Sequence, residues 1–415
     1  SLVGSEMCIR DRNIGIDRIN LRSNIDMNVS STTTVGVDLA LQYLVNNYPG
    51  TGTANIFRSM LITPPYTFPA VYSDGTVSTY SQERDANMRN PYNLLMNSGY
   101  AKEYRTAIQS KVYVDQKLDF ITKGLSVRLN ASYDYDSEMI VRREYNPTRY
   151  HATGRDENGN LLFATVVSGN PELQDPKNSA TSATKKIYID AAINYKRTFD
   201  QHEVGAMLLY MQKETQYHNV ALPYRKQGLV GRLTYGYGGR YFIEGNFGYT
   251  GSENFQPGRQ YGFFPSVALG WVPTGYKFIQ EALPWLDYLK IRASYGSVGN
   301  DRITDVRFPY LTKVNEGTGS AWGVPDIEII GETRIGADNL AWEKAIKSNV
   351  GIEGKLFNNK IDFVVDIFHD QRNGIFQQRV QVPEFVGVVS NPYANVGKMK
   401  SYGADGNISF TQDFT

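Results

Sequence analysis

The 415-residue chain contains one cysteine, Cys8. A lone thiol excludes an intramolecular disulfide framework and a cysteine-ligated zinc site. Histidine is also scarce: His151, His202, His218 and His369 lie far apart in the sequence. Neither sign of charge dominates, with 43 basic and 42 acidic residues. Without a basic excess the chain lacks the electrostatic footprint of a nucleic-acid binder. No apolar run approaches the roughly 18 residues of a membrane-spanning helix, and the mean hydropathy is −0.40. Helical spans are therefore excluded. Spanning strands are not, because only alternate residues of a barrel strand face lipid.

Catalytic and cofactor motifs are missing as well. His202-Glu203 begins an HExxH pattern, but Ala206 stands where the second histidine is needed. Gly50-Thr51-Gly52 lacks the third glycine and the following helix of a dinucleotide site, and Gly397-Lys398 is followed by Met399 rather than Ser or Thr. Asp156-Glu157-Asn158-Gly159-Asn160 lacks the later glutamate of a calcium loop, and its Asn-Gly predicts a hairpin turn. The expectation is a protein that is not an enzyme and has no cofactor.

Tyrosine and glycine are abundant, 29 and 38 residues. From Gln227 to Asp301 the chain alternates. Leu229, Gly231, Leu233 and Tyr235 share one face, with Val230, Arg232 and Thr234 on the other. After Gly238-Gly239, Tyr241, Ile243, Gly245, Phe247 and Tyr249 oppose Phe242, Glu244, Asn246, Gly248 and Thr250. A period of two held for about ten residues suits a sheet with one apolar and one polar face, and is longer than the mode of about five or six in globular sheets. Aromatic residues gather near strand ends: Tyr235, Tyr237 and Tyr241 at one turn, Trp271 and Trp285 at another. These features favour a transmembrane β-barrel over a soluble sandwich.

The same template predicts about thirteen strands. They begin with Asp17–Ser30, Thr34–Asn46, Glu103–Leu118, Leu125–Asp136, Lys185–Phe199 and Glu203–Glu214. The central hairpins follow, and Lys347–Leu356, Lys360–Gln371 and Asn395–Phe410 complete the set. Every second connection is short. The others are longer, notably the excursions Asn47–Lys102 and Ser137–Thr184. This is the alternation of short periplasmic turns and long extracellular loops. Pro273–Trp285 is too long for a tight turn, and the spacing of Phe278, Ile279, Ala282 and Leu283 predicts a short rim helix.

Residues 1–12, SLVGSEMCIRDR, resemble read-through of a sequencing-library transposon adapter, so the domain is expected to occupy 13–415. Within it, FFPSVALGWVP, KFIQEALPWLDYLKIRASYGSVGND, NLAWEKAIKSNVGIEGKLFNNKIDFVVDIFHDQRNGIF and YANVGKMKSYGADGNISF resemble SusC/RagA-type TonB-linked outer-membrane receptors. The opening RINLRSNIDMNVSSTTTVGVDLAL is similar to an earlier strand pair of that family, and together these runs cover most of residues 17–411 in the family's order.

The resemblance implies an all-β fold: a partial transmembrane antiparallel β-barrel, about 13 strands of an expected 22, embedded as a multi-pass protein in outer-membrane lipid of a Gram-negative cell. On this reading residues 13–415 are an incomplete barrel domain, without the plug and the final strands. The implied function is TonB-dependent active import of a nutrient, an oligosaccharide or alternatively a peptide, with a SusD-like surface lipoprotein and with TonB engaging a region outside this sequence. The alternatives are a TonB-linked siderophore or cobalamin receptor, a passive porin-like channel, and a soluble β-rich adhesin whose Ile243 and Phe247 would be buried in a core. The polar strand positions Arg232, Glu244, Lys290 and Arg292 are expected to face the lumen. Tyr66, Tyr72 and Trp322 in the long loops are candidate ligand contacts, because sugars stack on aromatic faces.

Overall fold

A computed structural model describes residues 14–80, 90–170, 172–301, 307–321, 324–337, 339–379, 383, 385 and 391–412. Among the described residues seventeen strands run in chain order: β1 (Gly15–Asn28), β2 (Thr33–Pro49), β3 (Gly99–Lys117), β4 (Leu125–Glu144), β5 (Arg149–Arg155), β6 (Leu161–Val167), β7 (Lys177–Phe199), β8 (His202–Tyr217), β9 (Tyr224–Tyr237), β10 (Tyr241–Ser252), β11 (Tyr261–Trp271), β12 (Leu286–Asn300), β13 (Lys313–Ala321), β14 (Val324–Arg334), β15 (Glu343–Leu356), β16 (Ile361–Gln378) and β17 (Tyr393–Phe410). Thirteen of them form one antiparallel sheet in the order β1-β2-β3-β4-β7-β8-β9-β10-β11-β12-β15-β16-β17. The pairs β5–β6 and β13–β14 are separate hairpins.

Register keeps each face chemically uniform. Leu233 lies beside Ala206 on β8 and Gly245 on β10, and Ile243 beside Tyr235 and Leu269. A one-residue slip would turn every one of these side chains over, so the alternation itself locks the pairing. Leu233 is 67% exposed and Ile243 50% exposed. Among the described residues no sheet or helix packs over this apolar face. A sandwich core is thereby excluded. The buried apolar cluster, Phe255, Ala337, Leu340, Trp342 and Phe376, instead ties the long connections together.

The short turns follow local chemistry. Gly238 and Gly239 both take positive φ (57° and 66°) in the three-residue loop between β9 and β10, where the Arg240 amide closes the turn on the Tyr237 carbonyl at 3.0 Å. Phe357, Asn358 and Asn359 also take positive φ between β15 and β16. That is unusual for phenylalanine, and it is held by the Phe357 amide donating to the Trp285 carbonyl (2.9 Å) and by stacking of the two rings at 6.2 Å. Pro273–Trp285 contains a 3₁₀ turn, Pro273–Gly275, and the helix Lys277–Ala282, as the spacing predicts.

Three features differ from the sequence reading. β4 continues to Glu144 and β7 begins at Lys177, so the strands rise into what reads as an excursion. The first long connection contains helices at Thr53–Ile62 (α1), directly after Gly50-Thr51-Gly52 where the sequence reading has no helix, and at Pro91–Met96 (α2). The connection after Asp301 carries the β13–β14 hairpin.

Candidate functional site

The polar face of β7 to β17 carries a ladder of charge. Arg232, Asn246, Ser266, Gly296, Lys347 and Asp370 form one straight row across β9, β10, β11, β12, β15 and β16. Arg232 Nη2 reaches diagonally to Glu244 Oε2 at 2.6 Å, and Asn246 Nδ2 donates to the other Glu244 oxygen at 2.9 Å. Lys347 pairs with Asp370 at 3.3 Å. A second row runs from Arg292 through Gly351 to Asp366 and Asp405. Here Arg292 Nε donates to Glu353 Oε1 at 2.6 Å and Nη2 to Asp366 Oδ2 at 2.7 Å, and Lys290 lies 3.9 Å from Glu353.

The four polar candidates thus share one face, in two ion-paired groups. Glu353 and Asp366, which complete the second group, were not singled out from sequence. Their signal was present, because the alternation Lys347, Asn349, Glu353 on β15 and Asp362, Asp366, Asp370 on β16 places them on the polar side.

Between the two groups the face is hollowed. Gly205, Gly236 and Gly270 contribute no side chain, and Lys196, Glu203, Arg232, Glu244, Lys290 and Arg292 line a recess of 710 Å³. Glycine backbone and rimming charge make a concavity with charged groups of both signs on its edge.

The loop end is built differently. Phe255, fully buried, stacks on Trp342 at 4.9 Å, and Phe264 meets Trp342 edge-on at 5.3 Å. Trp342 Nε1 donates to the Gln260 carbonyl at 3.1 Å, and Asn395 Nδ2 donates to the carbonyls of Ala341 (2.9 Å) and Gly374 (2.7 Å). Arg307 is clasped between the rings of Tyr224 and Phe308 (4.5 and 4.3 Å). It donates to Asn254 Oδ1 at 2.9 Å and to the Pro223 carbonyl at 2.7 Å. The connections β8–β9, β10–β11 and β12–β15 therefore form one interlocked unit.

The loop aromatics part company. Tyr72 packs against Phe163 (5.4 Å), and its hydroxyl accepts from the Ala152 amide at 3.0 Å, bracing the first long connection against the β5–β6 hairpin. Tyr66 is 88% exposed. Trp322 lies outside the described residues. Near Tyr66, α1 presents Phe57, Met60 and Leu61 outward.

Two loop carboxylates are locally tuned. The Asn160 side-chain and backbone N–H groups hold Asp156 below the ordinary carboxylate value at the tip of the β5–β6 hairpin. Asp74 is held low in the same way, first by the Thr76 backbone N–H.

A family model, "TonB dependent receptor-like, beta-barrel", matches residues 23–415. The chain belongs to that family. TonB-dependent receptor P39 of Formosa agariphila is 24% identical over 95% of this chain and 37% of its own length. TonB-dependent receptor SusC of Bacteroides thetaiotaomicron is 27% identical over 45% of this chain and 19% of its own. Among solved structures, the RagAB peptide importer in its closed-closed state superposes with a TM-score of 0.67 at 20% identity, covering 97% of this chain and 45% of that one. The chain thus spans less than half the length of these relatives. The SusC/RagA-type resemblance carried by the LPWLDYLKIRASYGSVGN and LAWEKAIKSNVGIE runs is borne out.

Proposed function

We propose that the parent receptor imports a nutrient across the outer membrane by TonB-dependent gating, with an oligosaccharide as cargo. The observation that carries this reading is the segregation of charge. The paired groups Arg232–Glu244 and Lys290–Arg292–Glu353–Asp366 lie on one face, while the opposite face exposes Leu233, Ile243 and Ile367. Such a wall suits lipid outside and a hydrated, plug-contacting lumen inside, with these four candidate residues lining the lumen.

In this reading the wall does no covalent chemistry. Its ion pairs keep charge satisfied against a moving plug, and the 710 Å³ recess leaves a polar space beside it. The interlocked loops hold the outer mouth in shape. Tyr66 presents an aromatic face suited to stacking on the C–H side of a sugar, and Trp322 is retained as a second candidate. Tyr72 acts by bracing the connection that carries Tyr66 against the β5–β6 hairpin. A SusD-like lipoprotein is the proposed partner at the outer surface, and TonB the energy-coupling partner.

The test is uptake by cells expressing the whole receptor, with labelled oligosaccharide and labelled peptide offered in parallel. Uptake of the oligosaccharide that collapses on TonB deletion supports the proposal. Peptide uptake alone overturns the cargo assignment, and uptake independent of TonB overturns the mechanism.

A further inference from the structure

A second cavity lies on the opposite, apolar face, and nothing in nutrient import uses it. Its volume is 420 Å³, within the range of about 300–1,000 Å³ typical of small-ligand sites. Its lining includes Ile187 and Ile189 on β7, together with Gln212, Arg225, Gln227 and Tyr261. The register sets the cleft's lining: Ile189, Gln212, Gln227, Gly251 and Tyr261 form one row across β7 to β11, and the Tyr261 ring lies over Gly251, where a Cβ would stand 2.6 Å from it.

Polar side chains on an otherwise apolar face call for an explanation, and their height supplies part of it. From the Tyr237–Tyr241–Trp271 row at the short-turn end to the Gln227–Gly251–Tyr261 row is ten residues, Tyr237 to Gln227. That is about 33 Å along the strand. At a tilt of about 40° it is about 25 Å along the membrane normal, the height of a barrel's apolar band. Rows of aromatics mark both limits, with Tyr210, Tyr249 and Phe263 just below the cleft. The cleft therefore opens where outer-leaflet headgroups begin.

The donor and acceptor pattern supplies the rest. Gln212 Nε2 donates to Tyr210 Oη (2.6 Å), Tyr210 donates to Gln227 Oε1 (3.1 Å), and Gln227 donates to Tyr261 Oη. Every donation runs the same way. Among the described residues this leaves an acceptor, the Gln212 carbonyl, at one end and a donor, the Tyr261 hydroxyl, at the other. Above them Arg225 Nε donates to Glu214 at 2.9 Å, with Glu253 at 4.0 Å from its Nη1. Amide, hydroxyl, carboxylate and guanidinium groups beside an aromatic ring suit the hydroxyls and C–H face of a sugar.

We propose that this cleft holds the sugar headgroup of an outer-leaflet glycolipid, whose acyl chains run down the Ile187–Ile189 side toward Leu208 and Leu229. The inference rests on the reading that the apolar face meets lipid. The bound glycolipid would fasten β7–β11 at the membrane surface, directly beneath the interlocked loops.

The test uses the whole receptor purified from outer membranes in mild detergent, with co-purified lipid A, an acylated glucosamine disaccharide, quantified by mass spectrometry. The variants are the pair Arg225→Leu/Gln227→Leu and, separately, Ile189→Trp, which fills the cleft without removing a polar group. At least a fivefold loss of lipid A in either folded variant, with phospholipid carry-over unchanged, is the expected result. Equal lipid A in wild type and both variants overturns the proposal. Delipidated receptor is then offered lipid A and its soluble deacylated disaccharide. Equal affinity for the two would make this a free-saccharide site and overturn the lipid assignment. Failure of the underlying reading registers separately, because Leu233→Arg would then insert into membranes as well as wild type.

Discussion

Arg292 on β12 hydrogen-bonds Asp366 on β16 at 2.7 Å, across the whole width of the intervening strand β15. The residue between them in register is Gly351. A Cβ there would stand 2.6 Å from Asp366 Oδ1 and 2.8 Å from Arg292 Cζ. The glycine is thus the passage through which the guanidinium reaches its second carboxylate.

Gly351→Ala should therefore displace the Arg292 side chain and break the Asp366 contact while leaving Glu353 within reach. A charge-assisted bond at this partial exposure is worth about 1–2 kcal/mol. A lowered urea midpoint at unchanged slope is the expected result. A midpoint equal to wild type would show that the bond contributes nothing.

Charge placed on the two faces should have opposite consequences. Leu233→Arg puts a cation at mid-height on the apolar face and should cost about 2–4 kcal/mol of membrane stability. Its sequence neighbour Thr234→Arg should be close to neutral, because it joins Glu244 on the polar side. Folding into lipid vesicles, followed by tryptophan fluorescence in urea, separates the two. Equal penalties would refute the assignment of faces.

Phe255→Ala should loosen the outer mouth without disturbing the wall. Removing a fully buried phenylalanine costs about 3–5 kcal/mol, and its partners Leu340 and Trp342 lie in the same unit. Hydrogen exchange should accelerate in 253–260 and 339–342 and stay constant in β3 and β4. Uniform acceleration throughout would mean that the loop cluster supports the whole sheet.

The β5–β6 hairpin tip should depend on acid. Asp156 is depressed in the folded state by the Asn160 side-chain and backbone N–H groups. Its contribution is therefore fully present above the ordinary carboxylate value, about 3.9, and is lost as pH falls through the lower folded value. Amide exchange at Asn158 and Asn160, corrected for intrinsic rate, should be flat from pH 7 to 5 and show lost protection only in stronger acid. Asp156→Ala should show that loss at every pH. Loss of wild-type protection already between pH 6 and 5 would contradict the depressed value.

Much of the wall was legible because its signal is local. Strand alternation and turn chemistry placed all thirteen members of the sheet and the Asn158-Gly159 turn, since each depends on residues a few positions apart. α2 was missed despite a readable start: Asn90 caps the Tyr92 amide at 3.0 Å, and Pro91 occupies the first turn. α1 was less legible, because its large apolar Phe57, Met60 and Leu61 are exposed and its buried face is only Ile56 and Ser59, too little apolar spacing to read as a helical stripe. The loop unit escaped for a different reason. Phe255, Trp342 and Phe376 are far apart in sequence, and only the closed register of β10 to β16 brings them together. The same holds for Arg292 and Asp366, where polarity was readable but the gap over Gly351 was not.

In the thirteen-stranded sheet every strand pairs with its nearest sheet-forming predecessor in the chain. No connection has to cross another, and each long one leaves and rejoins at the same end. Closing a flexible loop costs only about 0.6 kcal/mol more for each doubling of its length. Insertions between β2 and β3, or between β12 and β15, therefore leave the pairing untouched. A wall of this kind works as a fixed handle with interchangeable heads, so its loops can be exchanged without relearning how to fold.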